Sequence, residues 1–243
     1  MFHEHSYVFL TDRPLMAKLA TVLDREVRGD WYLVTDPADL TYERMAEIGP
    51  DYIFVPHWSR KIPADVYENF CVVIFHMTDL PYGRGGSPLQ NLIVRGHTST
   101  MITALRCAAE LDAGPIFIKA PLSLHGAADE IFQRARELIA GMIRDIVTSR
   151  PVPLPQEGDP VYFKRRKPAD GDIRQVKDLD QVHDFIRMLD GDGYPPAFLE
   201  TDHFRFEFSR SVNRDGCIEA DVRITAKNDT GKPRAEGSTL NED

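Results

Sequence analysis

Along the first part of the chain the apolar positions fall in short unbroken runs, not in alternation. Tyr7 to Leu10, Trp31 to Val34, Tyr52 to Val55 and Cys71 to His76 each read as a strand without a polar face. That is the pattern of parallel strands covered on both sides. Between the runs the apolar spacing lengthens to three and four. Leu15, Leu19, Val22 and Leu23 predict a helix after Thr-Asp-Arg-Pro, and Tyr42 to Ile48 a second one before Gly49-Pro50. Ser87-Pro88 reads as a helix start, a serine N-cap followed by proline at the first helical position, with the helix running over 89–94 until Gly96 ends it. Thr100 to Cys107 and Ile116 to Ala120 are predicted strands joined through the turn LDAG, which makes the second edge of the sheet antiparallel. Ala127 to Val147 is the longest helical pattern, with Ile131, Ala135, Leu138, Met142 and Ile146 along one face. The order of elements predicts an α/β fold with a Rossmann-like, mostly parallel sheet and helices on both faces.

Pro151, Pro153, Pro155 and Pro160 read as a linker, so a catalytic domain is expected over residues 1–160. Residues 161–226 then form a smaller extension: a basic, turn-rich segment, a helix from Asp180 to Leu189, and a two-stranded hairpin. The hairpin is predicted from the alternation of Phe204, Phe206, Phe208 and then Ile218, Val222, Ile224, turning around Asn213 to Gly216. Residues 227–243 are polar and are expected to form a disordered tail.

Composition narrows the class. The 243 residues are 42% hydrophobic, enough for a sizeable core. No apolar run reaches the ~18 residues of a membrane span, and the start MFHEHSYVFL lacks the basic and apolar regions of a secretory signal, so a cytoplasmic location is expected. Cys71, Cys107 and Cys217 are far apart without ligand spacing; neither a disulfide framework nor a zinc site is indicated, and all three are expected to be small buried residues. The net charge of −9 offers no field for nucleic acid or an anionic membrane, so an anionic substrate would need a local basic pocket.

In an open α/β sheet ligands gather at the carboxyl ends of strands, and His76 stands where the run Cys71 to Phe75 stops. The stretch that follows, FHMTDLPYGRGGSPLQNLIVRG, turns sharply and opens a helix. Asp112, in ELDAGPI, is a carboxylate in a tight turn between two predicted strands. His57, His76, His97 and Asp112 show no metal-ligand spacing, and no metal is expected.

The run from His76 through Leu80, Pro81, Arg84 and Gly85, with Asp112 and Gly114 following the histidine by 36 and 38 positions, resembles the family of formyltransferases that use N10-formyltetrahydrofolate. YFKRRKPADGDI (162–173) and IRMLDGDGYPPAF (186–198) are similar to the segment that closes the catalytic domain in tRNA-type and sugar-type members. The resemblance implies that His76 donates to a developing oxyanion and Asp112 accepts the proton of the attacking amine. It implies that Trp58, Ser59, Lys61 and Ile62, with Gly114 in the aspartate turn, line the folate site. It also implies that Arg84, Gly85 and Gly86 form the turn beside the acceptor. The family carries an asparagine two residues before the histidine; here that position is Ile74, and Asn91 or Gln90 on the following helix are the candidate replacements.

Relatives acting on tRNA carry a large basic C-terminal barrel. Only 45 residues follow Phe198 here, and from Lys164 onward 14 Lys/Arg stand against 17 Asp/Glu, a net of −3. The expected acceptor is therefore a small amine, with no nucleic-acid partner and no membrane insertion; the layout most resembles the sugar N-formyltransferases, which implies a nucleotide-linked amino sugar made for a surface polysaccharide such as O-antigen. Arg13, Arg84, Lys164, Arg165, Arg166 and Lys167 are the candidate cations for its diphosphate. Formylation of another small amine, and a folate- or amino-sugar-binding protein without turnover, remain as alternatives. A homodimer is expected, since three phenylalanines on one face of a late hairpin need a cover.

Overall fold

The computed structural model describes residues 5 to 227. In chain order the elements are β1 (Ser6–Thr11), α1 (Pro14–Glu26), β2 (Asp30–Val34), α2 (Tyr42–Ile48), β3 (Tyr52–His57), α3 (Ala64–Asn69), β4 (Val72–His76), β5 (Tyr82–Gly85), α4 (Pro88–Ile93) and β6 (Ser99–Arg106). β7 (Ile116–Ser123), α5 (Ala128–Ser149), β8 (Val161–Phe163), α6 (Leu179–Arg187), β9 (Ala197–Glu200), β10 (Phe204–Arg214) and β11 (Cys217–Ala226) follow. The main sheet runs β2-β1-β3-β4-β6-β7. β1 to β4 are parallel and β6 and β7 antiparallel, as the unbroken runs and the LDAG turn predict.

Alternate residues of the same strands enter two cores, which is why the runs have no polar face. Tyr7, Phe9, Phe54, Val73 and Phe75 meet α1 and α5 on one side. Val8, Leu10, Ile53, Val55 and Val72 meet Met45 of α2 and Val66 of α3 on the other. The first core continues into Phe163, Ile186, Met188, Leu189 and Ala197, so the closing segment packs into the same apolar interior as the sheet. No helix among the described residues is long and apolar enough to cross a membrane.

Several expectations need correction. The stretch after α5 is no free linker: Leu154 pairs with Ile116 at the sheet edge, and Gln156 reaches into the site described below. The C-terminal unit has three strands, in the order β11-β10-β9, not two. β9 escapes the alternation test because both Ala197 and Phe198 are buried. The two long strands run to Arg214 and turn on Asp215-Gly216, with Gly216 at φ 77°. Ser87 has φ 51° and does not cap α4; its hydroxyl accepts from the Arg166 amide instead. Of the cysteines, Cys71 and Cys107 are only half-buried and Cys217 is exposed. The tail from residue 228 onward lies outside the described residues.

Candidate active site

His76 ends β4 at the carboxyl edge of the sheet. Its Nε2 lies 2.8 Å from the Gly83 carbonyl. A carbonyl only accepts, so Nε2 carries the ring hydrogen and Nδ1 is left facing Asp112, 3.7 Å from Oδ2. Both side chains are nearly sealed from solvent, at 9% and 7% exposure. Asp112 adopts φ 53°, a left-handed conformation that aspartate tolerates better than most residues. Its Oδ2 accepts the Gly85 amide at 2.9 Å. The turn Tyr82-Gly83-Arg84-Gly85 thus holds the histidine with a carbonyl and the carboxylate with an amide two residues later. That fixes the two groups against each other without a side chain between them.

The turn itself is braced from behind. Gln156 donates to the carbonyls of Asp112 (2.8 Å) and Gly114 (2.9 Å), and its Oε1 accepts from Arg84 Nε (3.2 Å) and Nη2 (2.8 Å). Arg84 Nη1 adds Glu110 at 3.1 Å and the Tyr162 hydroxyl at 3.3 Å. Arg84 was expected to meet an anionic substrate; its guanidinium is instead fully engaged in holding the Asp112 loop to β5 and β8. Replacing Gln156 with alanine leaves a buried guanidinium edge and two carbonyls without partners. Unfolding in urea should then show a loss of about 1–3 kcal/mol, with a lower turnover rate.

Asn91 and Gln90 also need correction. Asn91 Nδ2 donates to the carbonyls of Gly86 (2.9 Å), Ser87 (3.1 Å) and Lys164 (2.9 Å), and its Oδ1 accepts from Arg95. Gln90 Nε2 donates to Met188, and its side chain hydrogen-bonds the Tyr194 hydroxyl. Both amides pin the closing segment to α4, so neither is free to replace the family asparagine. Gly85 and Gly86 lie where that segment presses closest: a Cβ on Gly86 would stand 2.6 Å from that of Arg165.

Ile74, Trp58, Ile62 and Cys107 are partly buried and pack against the same core cluster. The Trp58 Nε1 is buried and has no hydrogen-bond partner. Burial, and after it the charge of Asp112, pushes the Cys107 thiol up to about 11, so it stands beside the carboxylate as a neutral group. Lys61 and Ser59 are exposed on the loop after β3.

Of the expected cations, Arg166 is engaged, donating to the Asp170 carbonyl and lying 5.5 Å from the Phe185 ring. Lys164 and Arg165 are exposed, and Arg13 lies against Gly193, whose added Cβ would meet its Nη1 at 2.7 Å. Among the described residues no acidic side chain pairs with these three. The charges of Arg13 and Arg165 both reach His57 and Tyr194. His57 itself is bonded to Asp12, 3.0 Å from Nδ1 to Oδ1. Sequence alone assigned Asp12 no role and His57 none as a metal ligand; the signal was that both stand at the ends of apolar runs that are neighbours in a parallel sheet, with Thr11 in register with His57.

A structure described as a methionyl-tRNA formyltransferase from Clostridium thermocellum shares 45% identity, covers 91% of this chain and 99% of its own, and superposes with a TM-score of 0.88. The chain belongs to the formyltransferase family. Residues 168–225 match the family model of the methionyl-tRNA formyltransferase C-terminal domain. HypX from Aquifex aeolicus in complex with tetrahydrofolic acid (22% identity, 84% of this chain and 37% of that one, TM-score 0.67) shares the fold. So does a 4-N formyltransferase from Francisella tularensis (14%, 82% and 94%, TM-score 0.63).

Proposed function

We propose that the protein transfers a formyl group from N10-formyltetrahydrofolate to the amino group of a nucleotide-linked amino sugar, a 4-amino-4,6-dideoxy sugar in a cytoplasmic route to surface polysaccharide. The observation that carries the reading is the meeting of two things at one sheet edge: the sealed His76–Asp112 pair, and the cations Arg13 and Arg165, which have no acidic partner among the described residues. The first suits proton transfer from an attacking amine, the second a phosphorylated acceptor.

The residues present fit a folate. Trp58, Ile62 and Ile74 are partly buried apolar side chains of one cluster, and the buried Trp58 N–H has no hydrogen-bond partner among the described residues. Bound there, the co-substrate supplies an activated formyl carbon. Asp112, fixed by the Gly85 amide, takes the proton of the amine and shares it with Nδ1 of His76. Because Ile74 is apolar, Asn91 is engaged elsewhere and His76 Nε2 is bonded to the Gly83 carbonyl, the imidazole donates to the developing negative oxygen from Nδ1, once that nitrogen holds the transferred proton. Ordering donor and acceptor in contact contributes much of the remaining acceleration.

The Clostridium relative and the family model favour a second reading, transfer to methionyl-tRNA. The net charge of −9 weighs against it, because tRNA binding draws on a broad cationic face. Incubation with N10-formyltetrahydrofolate and a panel of nucleotide-linked amino sugars, charged initiator tRNA and free amines decides, with tetrahydrofolate release and product mass as readouts. Faster formylation of the tRNA than of any sugar rejects the sugar reading, and folate binding without release from any acceptor rejects turnover.

The same reading includes a homodimer through the C-terminal sheet. Phe206 pairs with Ile224 and Phe208 with Val222, so these residues share one face with Phe204. Phe204, Val222 and Ile224 remain 46%, 48% and 59% exposed, a costly apolar strip for a free monomer. Ile224→Glu is expected to convert a dimer to a monomer in light scattering; a monomeric parent protein removes the proposal.

A further inference from the structure

Asp12 stands in the loop after β1 and accepts three hydrogen bonds: from His57 Nδ1 at 3.0 Å, from the Ser59 amide at 3.0 Å and from the Ser59 hydroxyl. Burial works to raise its pKa, but the bonds from Ser59 and His57 outweigh that and hold the carboxyl below its usual range. Asp12 is therefore ionised at neutral pH and can only accept, which places the imidazole hydrogen on Nδ1. The His57 Nε2 has no partner among the described residues. Burial holds the His57 pKa below its ordinary value; Arg13 and Arg165 act in the same direction and Asp12 opposes them. The Tyr194 hydroxyl lies under the same two arginine charges and is bonded to Gln90. Two guanidinium groups without acidic partners among the described residues, both close enough to act on the His57 ring, leave a local excess of positive charge that an anion would neutralise.

This cluster is continuous with the catalytic turn. Arg165 packs on Gly86, and the neighbouring Gly85 holds Asp112. We propose that His57, positioned by Asp12, binds a phosphate-type oxygen of the acceptor together with Arg13 and Arg165, the ring donating from Nε2 when protonated. The proposal rests on the acceptor reading above for its biological ligand but not for its test. Asp12 is a positioning residue here, since it acts only through the imidazole.

Inorganic sulfate is the probe, because its charge does not change between about pH 5 and 8 and it requires neither folate nor amine. In protein labelled at histidine, NMR should show the His57 ring titrating below the ordinary histidine midpoint of about 6.5. Sulfate should raise that midpoint, since an anion favours the charged ring, and by linkage sulfate affinity should climb about tenfold as pH falls through it. His57→Asn keeps a donor toward Asp12 but removes Nε2. It should abolish the pH-dependent part of sulfate binding and raise the KM of a phosphorylated acceptor about tenfold, leaving kcat near the parent value. A His57 midpoint indifferent to sulfate in the unmodified protein overturns the proposal, as does a His57→Asn variant that binds sulfate like the parent; either result makes the pair a tie between two loops. If sulfate behaves as expected while amino sugars are not formylated, the anion site stands and the sugar reading falls.

Discussion

Asp112→Asn should lower turnover by about 10³-fold while leaving the thermal midpoint close to that of the parent protein. The substitution is nearly isosteric, and asparagine tolerates the φ of 53° that residue 112 adopts. The amide oxygen can still accept the Gly85 N–H that now lies 2.9 Å from the carboxylate. What disappears is the ability to take a proton, and with it the negative charge 3.7 Å from His76 Nδ1. Alanine would be the less informative choice, because it removes the Gly85 bond and places a residue ill-suited to φ > 0 at the tip of the turn. Steady-state tetrahydrofolate release and differential scanning calorimetry on the same preparation separate the two effects. Near-normal release by the asparagine variant would take Asp112 out of proton transfer, whatever its structural role. His76→Asn, which loses the imidazole but keeps a polar side chain, should fall by a similar factor, since both groups are held by one turn and act as a unit.

The sheet was legible for a physical reason: β1, β3 and β4 are buried on both faces, and a strand of that kind has no choice but to be apolar throughout. His76 stood out because an apolar run stops at it and Asp112 only through the family resemblance, and the fold brings the two to 3.7 Å. The errors share one cause. Leu89 to Ile93 are all buried, so helical periodicity cannot say whether Gln90 and Asn91 point at a substrate or at the chain; contacts to Met188 and Lys164, distant in sequence, decide it. Arg84 is a similar case, since the Gln156 that engages it sits in a stretch read as a linker. Asp12 and His57 were hidden because their pairing depends on which strand ends lie side by side, and a single sequence does not encode strand order locally. The positions that misled are those whose side-chain partners lie far along the chain.

The second large effect belongs to Gly114, at the far side of the aspartate turn. A Cβ built there falls inside the van der Waals radius of the Arg106 carbonyl oxygen, with the Arg106 carbonyl carbon at 2.9 Å and the Ala108 Cβ at 3.5 Å. The Arg106 end of β6 cannot retreat easily, because its own amide is bonded to the Pro115 carbonyl at 2.8 Å. The Gly114 carbonyl is meanwhile held by Gln156 at 2.9 Å. Gly114→Ala must therefore push the turn that carries Asp112 outward, breaking either that bond or the contact with Gly85. Overpacking of this kind costs about 1–3 kcal/mol. A displacement of the carboxylate by about 1 Å is enough to lower turnover by about 10²-fold. Gly141 supplies the control: it lies in α5 with nothing within 4 Å of an added Cβ. Gly141→Ala should leave the rate unchanged and stabilise the helix by up to ~1 kcal/mol. If Gly114→Ala instead melts and turns over like the control, the Asp112 turn is more pliable than its contacts imply, and the rigid placement of the carboxylate against His76 is no longer what the site depends on.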